Sequence, residues 1–226
     1  MAAGGVWGSS YALIAAALEP TLGPFILILA DAAAAEAAAD DLACFRGSPP
    51  VLFPEADATP MSFADRLRAA RRLASGETRA VVASARAFLQ PLPSPQTAER
   101  TRLRLRPGDR LDLDEFAHRL ADSRYERTHA VEMPGEFAIR GGIIDLFPFT
   151  ADEPARLELV GSEIESIRSF RVDDQHSTGD LPELEFSLVP GGDGAAEEAL
   201  LSDWLPKGGW IAVREAGDIK DDALNK

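Results

Sequence analysis

The sequence predicts an α/β protein in which a parallel-sheet domain is interrupted by an inserted, mostly antiparallel α+β domain. Three observations carry this prediction. In the first third, apolar runs of strand length alternate with helical stretches, the pattern of a parallel sheet with right-handed crossovers. A proline-rich break, Pro91-Leu92-Pro93-Ser94-Pro95, then gives way to closely spaced short strands separated by glycine turns. Near the end a further buried run, Trp210-Ile211-Ala212-Val213, resumes the first pattern. With 226 residues the chain can form two modest domains, each with its own core. The expected division is 1–95 for the first part of the α/β domain, 96–178 for the insertion and 179–226 for the return, with the last residues reading as an arbitrary stop.

In order, Ser9 is placed to cap a helix through Tyr11, Leu13, Ile14 and Leu18 that Pro20 and Gly23 should stop. Phe25 to Ala30 is continuously apolar, as expected of a strand covered on both faces. Asp31 should cap an alanine-rich helix over 32–46, ended by Gly47. Val51-Leu52-Phe53 reads as a short strand. A helix from Phe63 to Ala74 should bury Leu67, Ala70 and Leu73 and expose most of Arg66, Arg68, Arg71 and Arg72; Ala80 to Ala83 is the next strand.

Beyond the break, Arg100 to Arg106 alternates with period two, a half-exposed strand with an outer row of arginine. Asp114 is the expected cap of a helix over Glu115 to Ala121. Strands are expected at 127–132, 136–140, 142–147, 155–160 and 164–171, with turns at Pro134-Gly135, Gly141-Gly142 and Gly161-Ser162. Leu184 to Val189 is apolar, Gly191 to Gly194 a loop, and Ala195 to Leu205 a short amphipathic helix.

Composition narrows the function classes. The longest apolar run is far short of the roughly 20 residues that span a bilayer, and no basic segment leads an apolar one, so neither membrane nor secreted function is expected. One cysteine, Cys44, read as a small buried hydrophobe, fits a reducing cytoplasm. The net charge of −14 is uneven, because residues 60–110 hold eleven arginines against four acids while 143–226 hold nineteen acids against seven bases. An acidic chain is a poor general binder of nucleic acid, so only weak, salt-sensitive contact through the arginine segment is expected.

No catalytic residue, cofactor or metal site is expected. Gly5-Val6-Trp7-Gly8-Ser9-Ser10 stands where a phosphate-binding loop would be sought, but such a loop needs a lysine, and the only lysines are 207, 220 and 226. Arg214-Glu215 follows a strand where a magnesium box would place Asp-Glu, and an arginine repels the ion. His118, His129 and His176 fall in different elements. Glu163/Glu165 and Glu183/Glu185 alternate as solvated strand faces do.

The informative block runs Arg140-Gly141-Gly142-Ile143-Ile144-Asp145-Leu146-Phe147-Pro148, then Arg156-Leu157-Glu158, then Glu163-Ile164-Glu165-Ser166-Ile167-Arg168-Ser169-Phe170. It closely resembles the second domain shared by UvrB, the nucleotide-excision-repair excinuclease component, and the bacterial transcription-repair coupling factors. Weaker likeness extends the match over 5–190. The resemblance implies a degenerate P-loop-helicase-like sheet domain, decayed as in the coupling factors, with an insertion that docks the excinuclease component UvrA. It maps the docking residues onto Arg140, Gly141, Arg156, Glu158 and Val160, the last standing where the family often has an aromatic. RNA polymerase and DNA would be reached only through other parts of a longer, ATP-driven parent. The competing readings are a fragment of the ATP-dependent UvrB and a direct DNA-binding module built on Arg66 to Arg110.

Overall fold

The first strand forms where the sequence has no polar residue to expose: Phe25–Leu29 is buried at every position. The computed structural model describes residues 8–57, 59–188 and 197–214. Its elements run α1 Ser10–Leu22, β1 Phe25–Leu29, α2 Ala32–Arg46, β2 Val51–Phe53, α3 Pro60–Ala74, β3 Ala80–Ser84 and α4 Ala85–Leu89. There follow β4 Leu92–Pro93, α5 Pro95–Arg100, β5 Arg102–Leu105, α6 Leu113–Ala121, β6 Glu126–Arg127, β7 Glu136–Arg140 and β8 Ile143–Leu146. The chain continues through β9 Ala155–Val160, β10 Glu163–Phe170, β11 Ser177–Asp180, β12 Leu184–Ser187, β13 Glu198–Ala199, a 3₁₀ turn Leu201–Trp204 and β14 Trp210–Val213.

Contacts divide the chain into two compact units. The first comprises Met1–Asp57, Arg66–Leu92 and Ala199–Lys226; the second comprises Ala58–Asp65 and Pro93–Glu198. In the first, a four-stranded sheet in the order β14-β1-β3-β2 is parallel throughout. One face packs Phe25, Leu27, Leu29, Ala80 and Val82 against Ala12 and Ala15 of α1 and Ala35, Ala38 and Leu42 of α2. The small alanines let these helices lie close to the sheet.

Local chemistry sets the helix ends. Asp31 accepts from the Ala34 N–H at 2.8 Å, and Gly47 closes α2 in the left-handed region, both as the sequence predicts. α1 does not stop at Pro20. It continues to Leu22, because a proline near the last turn forfeits one hydrogen bond while the Gly23 N–H still reaches the Glu19 carbonyl at 3.0 Å. Ser9 makes no side-chain cap.

The second unit holds a six-stranded sheet in the order β11-β10-β9-β8-β7-β6, antiparallel except for the β6–β7 pair. One face buries Phe137, Ile144, Leu146, Leu157 and Ile167. Elsewhere in this unit Phe63, Tyr125 and Phe149 meet ring to ring, as do Phe116 and Phe186. A separate antiparallel pair joins β5 to β12, so Leu184–Ser187 lies against Arg102–Leu105.

Several expectations change. α6 is capped by Asp112, whose carboxylate accepts from Glu115 N–H at 2.9 Å, leaving Asp114 inside the negatively charged first turn. The strand expected at 127–132 shrinks to Glu126–Arg127, and β11 forms where the sequence shows no apolar alternation. The helix expected over Ala195 to Leu205 is replaced, in its described part, by β13 and the 3₁₀ turn. Cys44 is exposed rather than buried. Gly5 to Trp7, Val189 to Gly194, and Glu215 onward lie outside the described residues.

Candidate functional site

Strand pairing brings the sequence-predicted residues onto one face of the second unit's sheet. Arg140 pairs with Ile143, Ile143 with Glu158, and Asp145 with Arg156. Side chains two apart share a face, so Arg140, Ile143, Asp145, Arg156, Glu158 and Val160 lie together, opposite the apolar face. Two hairpin turns, Gly141-Gly142 and Gly161-Ser162, stand at the same end of this face. Gly141 takes φ 61° and Gly161 φ 64°. Gly142 is required for another reason: a Cβ there would lie 2.7 Å from the Leu159 carbonyl oxygen of the neighbouring strand.

The predicted residues differ in what they can offer. The Arg140 side chain is 52% exposed, and Val160 is 65% exposed, with Ile143 also open beside them. Arg156 is only 17% exposed. Its Nε and Nη2 donate to the two carboxylate oxygens of Asp145 at 2.6 and 3.0 Å, and its Nη1 donates to the Gln175 carbonyl at 3.2 Å. Its guanidinium also lies 4.9 Å from the centre of the buried Phe170 ring. The hydrogen bond to Asp145 raises the Arg156 pKa above its ordinary value, with burial opposing. Glu158 accepts from Ser166 Oγ at 2.8 Å and from Arg168 Nη1 at 3.5 Å.

The sequence pattern assigns no role to Asp145, whose side chain is 0% exposed. Besides the Arg156 fork it accepts from Arg140 Nη2. Its signal in the sequence is a lone carboxylate in Ile143-Ile144-Asp145-Leu146-Phe147, where the neighbouring buried positions are apolar. A carboxylate so placed needs a cation, and the strand register supplies one directly opposite.

The arginine segment behaves differently from an open basic patch. Arg104 Nη2 lies 2.6 Å from Glu185, Arg102 3.0 Å from Glu185 and 2.7 Å from Glu99, and Arg106 2.8 Å from Glu183. Hydrogen bonding to Glu185, with Glu183 close by, raises the Arg104 pKa. Glu183 and Glu185 are thus half-buried partners of the arginine row rather than a plain solvated face. Arg66, expected outside, is 3% exposed. It donates to the carbonyls of Pro54 (2.6 Å), Ala87 (3.2 Å) and Gln90 (2.6 Å) and sits over the Phe53 ring.

Among the described residues, no group of three or more His, Cys, Asp or Glu is placed to hold a metal ion. No described helix is long and apolar enough to cross a membrane.

The family model described as the UvrB interaction domain matches residues 103–190, which include the whole six-stranded sheet. Over these residues the chain is similar to the UvrB interaction domain. Arg140, Asp145, Arg156 and Val160 all fall within the match. The transcription-repair-coupling factor of Bacillus subtilis (strain 168) is 36% identical over 190 residues, covering 80% of this chain and 16% of that protein. The same-named protein of Mycobacterium bovis is 34% identical over 210 residues, covering 86% of this chain and 16% of that protein. That of Staphylococcus aureus (strain bovine RF122 / ET3-1) is 34% identical over 131 residues, or 58% of this chain and 11% of the relative. The likeness therefore extends beyond the UvrB interaction domain, yet the chain spans no more than 16% of these relatives' length.

Proposed function

We propose that this chain is a docking module of a transcription-repair coupling factor, recruiting the excinuclease component UvrA in transcription-coupled nucleotide-excision repair. The observation that carries the reading is the exposed end of the second unit's sheet, where Arg140, Gly141, Ile143 and Val160 stand together. A planar guanidinium beside open apolar side chains is the composition of an interface anchor: the fork binds a carboxylate and the apolar rim excludes water. Glu158 and Arg156 complete the contact set, Arg156 mainly by holding the strands beneath. The role is one of binding rather than catalysis, in the cytoplasm, with RNA polymerase and DNA engaged by other parts of the longer protein. In this reading the first unit is a helicase-like sheet domain whose nucleotide loop has decayed, consistent with the missing lysine.

The pairing of Arg102, Arg104 and Arg106 with glutamates speaks against a direct DNA-binding module, because cations already neutralised release few counterions from DNA. Calorimetric titration of UvrA into the whole chain tests the proposal. Saturable one-to-one binding supports it, and absence of heat at concentrations well above micromolar rejects it.

A further inference from the structure

We propose that Asp145 is the positioning residue of the docking surface: it fixes the Arg140 guanidinium in a binding-ready orientation, and Arg156 keeps it in place to do so. This rests on the docking reading above. The charges in the cluster do not balance within it. Asp145 is fully buried and already receives a bidentate fork from Arg156, which is itself mostly buried and anchored at Gln175 and Phe170. That pair is complete in charge. Arg140 then adds a second guanidinium to the same carboxylate through Nη2 alone. The cluster is left with one net positive charge, carried by the half-exposed arginine at the end of the sheet.

Holding an arginine by one nitrogen leaves the other edge of its fork open while stopping the side chain from sweeping. Among the described residues, Nε and Nη1 of Arg140 have no hydrogen-bond partner; each two-bond edge of the fork joins one of them to an N–H of Nη2, so the edge that Asp145 does not occupy remains to receive a second, incoming carboxylate. The strand register explains why the tether works. Asp145 is opposite Arg156 on one side and Ala138 on the other, so the only side chain directly flanking it toward β7 is a methyl, and Arg140 reaches it along the diagonal. A carboxylate with no freedom of its own, clamped from the far side, is a fixed point from which to orient a half-exposed arginine. The partner chemistry that fits is an acidic side chain set in an apolar ring that covers Ile143 and Val160.

The test is a double-mutant cycle on the full chain, with Asp145→Asn and Arg140→Ala read by calorimetric affinity for UvrA. Asn keeps the shape and the acceptor oxygen but gives up the charge. Asp145→Asn should weaken binding about tenfold, the order expected when an interface side chain must be ordered anew. In the Arg140→Ala background the same change should have no further effect. Additive losses in the cycle, or undiminished binding by a folded Asp145→Asn chain, would overturn the proposal. A second readout needs neither partner nor variant stability: ¹⁵N-detected exchange of the Arg140 side chain in the unsubstituted protein should show hindered guanidinium rotation, and free rotation would overturn it. Hindered rotation together with no binding by the unsubstituted protein would instead reject the docking reading and leave the tether intact.

Discussion

Replacing Arg66 should cost far more stability than replacing Arg72, a partly exposed arginine of the same helix paired with the exposed Glu77. The guanidinium makes two 2.6 Å bonds, to Pro54 and Gln90, and a third at 3.2 Å to Ala87, all to carbonyl oxygens. It stacks 4.3 Å from the centre of the Phe53 ring. Burial lowers its pKa to about 10, so charging it inside the protein is unfavourable, yet it remains cationic at neutral pH. One pKa unit is about 1.4 kcal/mol, which makes this opposing cost roughly 3 kcal/mol. The hydrogen bonds offset it. Arg66→Ala removes every donor at once and leaves three carbonyls short, each worth about 1–3 kcal/mol when buried without a partner. A net loss of about 3–5 kcal/mol is expected, within the range for breaking a buried charged network. Arg66→Met should lose somewhat less, because its side chain still covers Phe53, and Arg66→Lys least, because an ammonium keeps the charge but not the fork. Urea unfolding at pH 7, followed by circular dichroism, ranks the three. A loss below about 0.5 kcal/mol for Arg66→Ala, the usual size for a surface position, would refute the reasoning.

Three further outcomes follow from the same geometry. Burial pushes the Glu19 pKa up, but hydrogen bonds from Arg46 at 2.6 Å and Arg79 at 3.1 Å outweigh it, so the folded value lies below the ordinary 4.5. Its stabilisation is therefore complete above that value and lost as pH falls through the folded one; Glu19→Gln should cost about 2–4 kcal/mol at pH 7 and progressively less in acid, and a pH-independent difference in melting would contradict this. Gly142→Ala should cost about 2–3 kcal/mol, because its Cβ meets the Leu159 backbone, whereas Gly161→Ala meets open space and suffers only from a positive φ, about 1 kcal/mol, with urea midpoints deciding. Fluorescence anisotropy with duplex DNA should show weak binding that vanishes by about 0.15 M salt; tight binding there would restore the direct DNA-binding reading.

Much of the fold can be read from residue order, for identifiable reasons. The buried parallel strands are apolar at nearly every position, and Asp31 and Gly47 mark the ends of α2 by their own conformational preferences. Arg66 is legible in one sense and misleading in another. It stands at i, i+4 and i+7 with Ala70 and Leu73, both fully buried, so periodicity places it inward while its residue type argues for water. What permits its burial is a set of carbonyls from Pro54, Ala87 and Gln90, remote in sequence and invisible to any local pattern. β11 gives no signal, since all four residues of Ser177–Asp180 are exposed and an edge strand needs only its backbone to pair. At the candidate site, the motif locates Arg140, Gly141, Glu158 and Val160, and the strand register gathers them. The difference between Arg140 and Arg156 is not legible, because it depends on which of them faces the buried Asp145 across a strand pair.

The central claim is tested most directly by titrating UvrA into the Arg140→Ala variant and the unsubstituted protein, with a melting curve for each. Arg140 is half exposed and, among the described residues, bonded only at one nitrogen, so its removal should leave melting nearly unchanged. Loss of a charged anchor at an interface costs about 2–5 kcal/mol, so affinity should fall roughly 30-fold or more. Equal affinity for the two proteins, with both folded, would contradict the account.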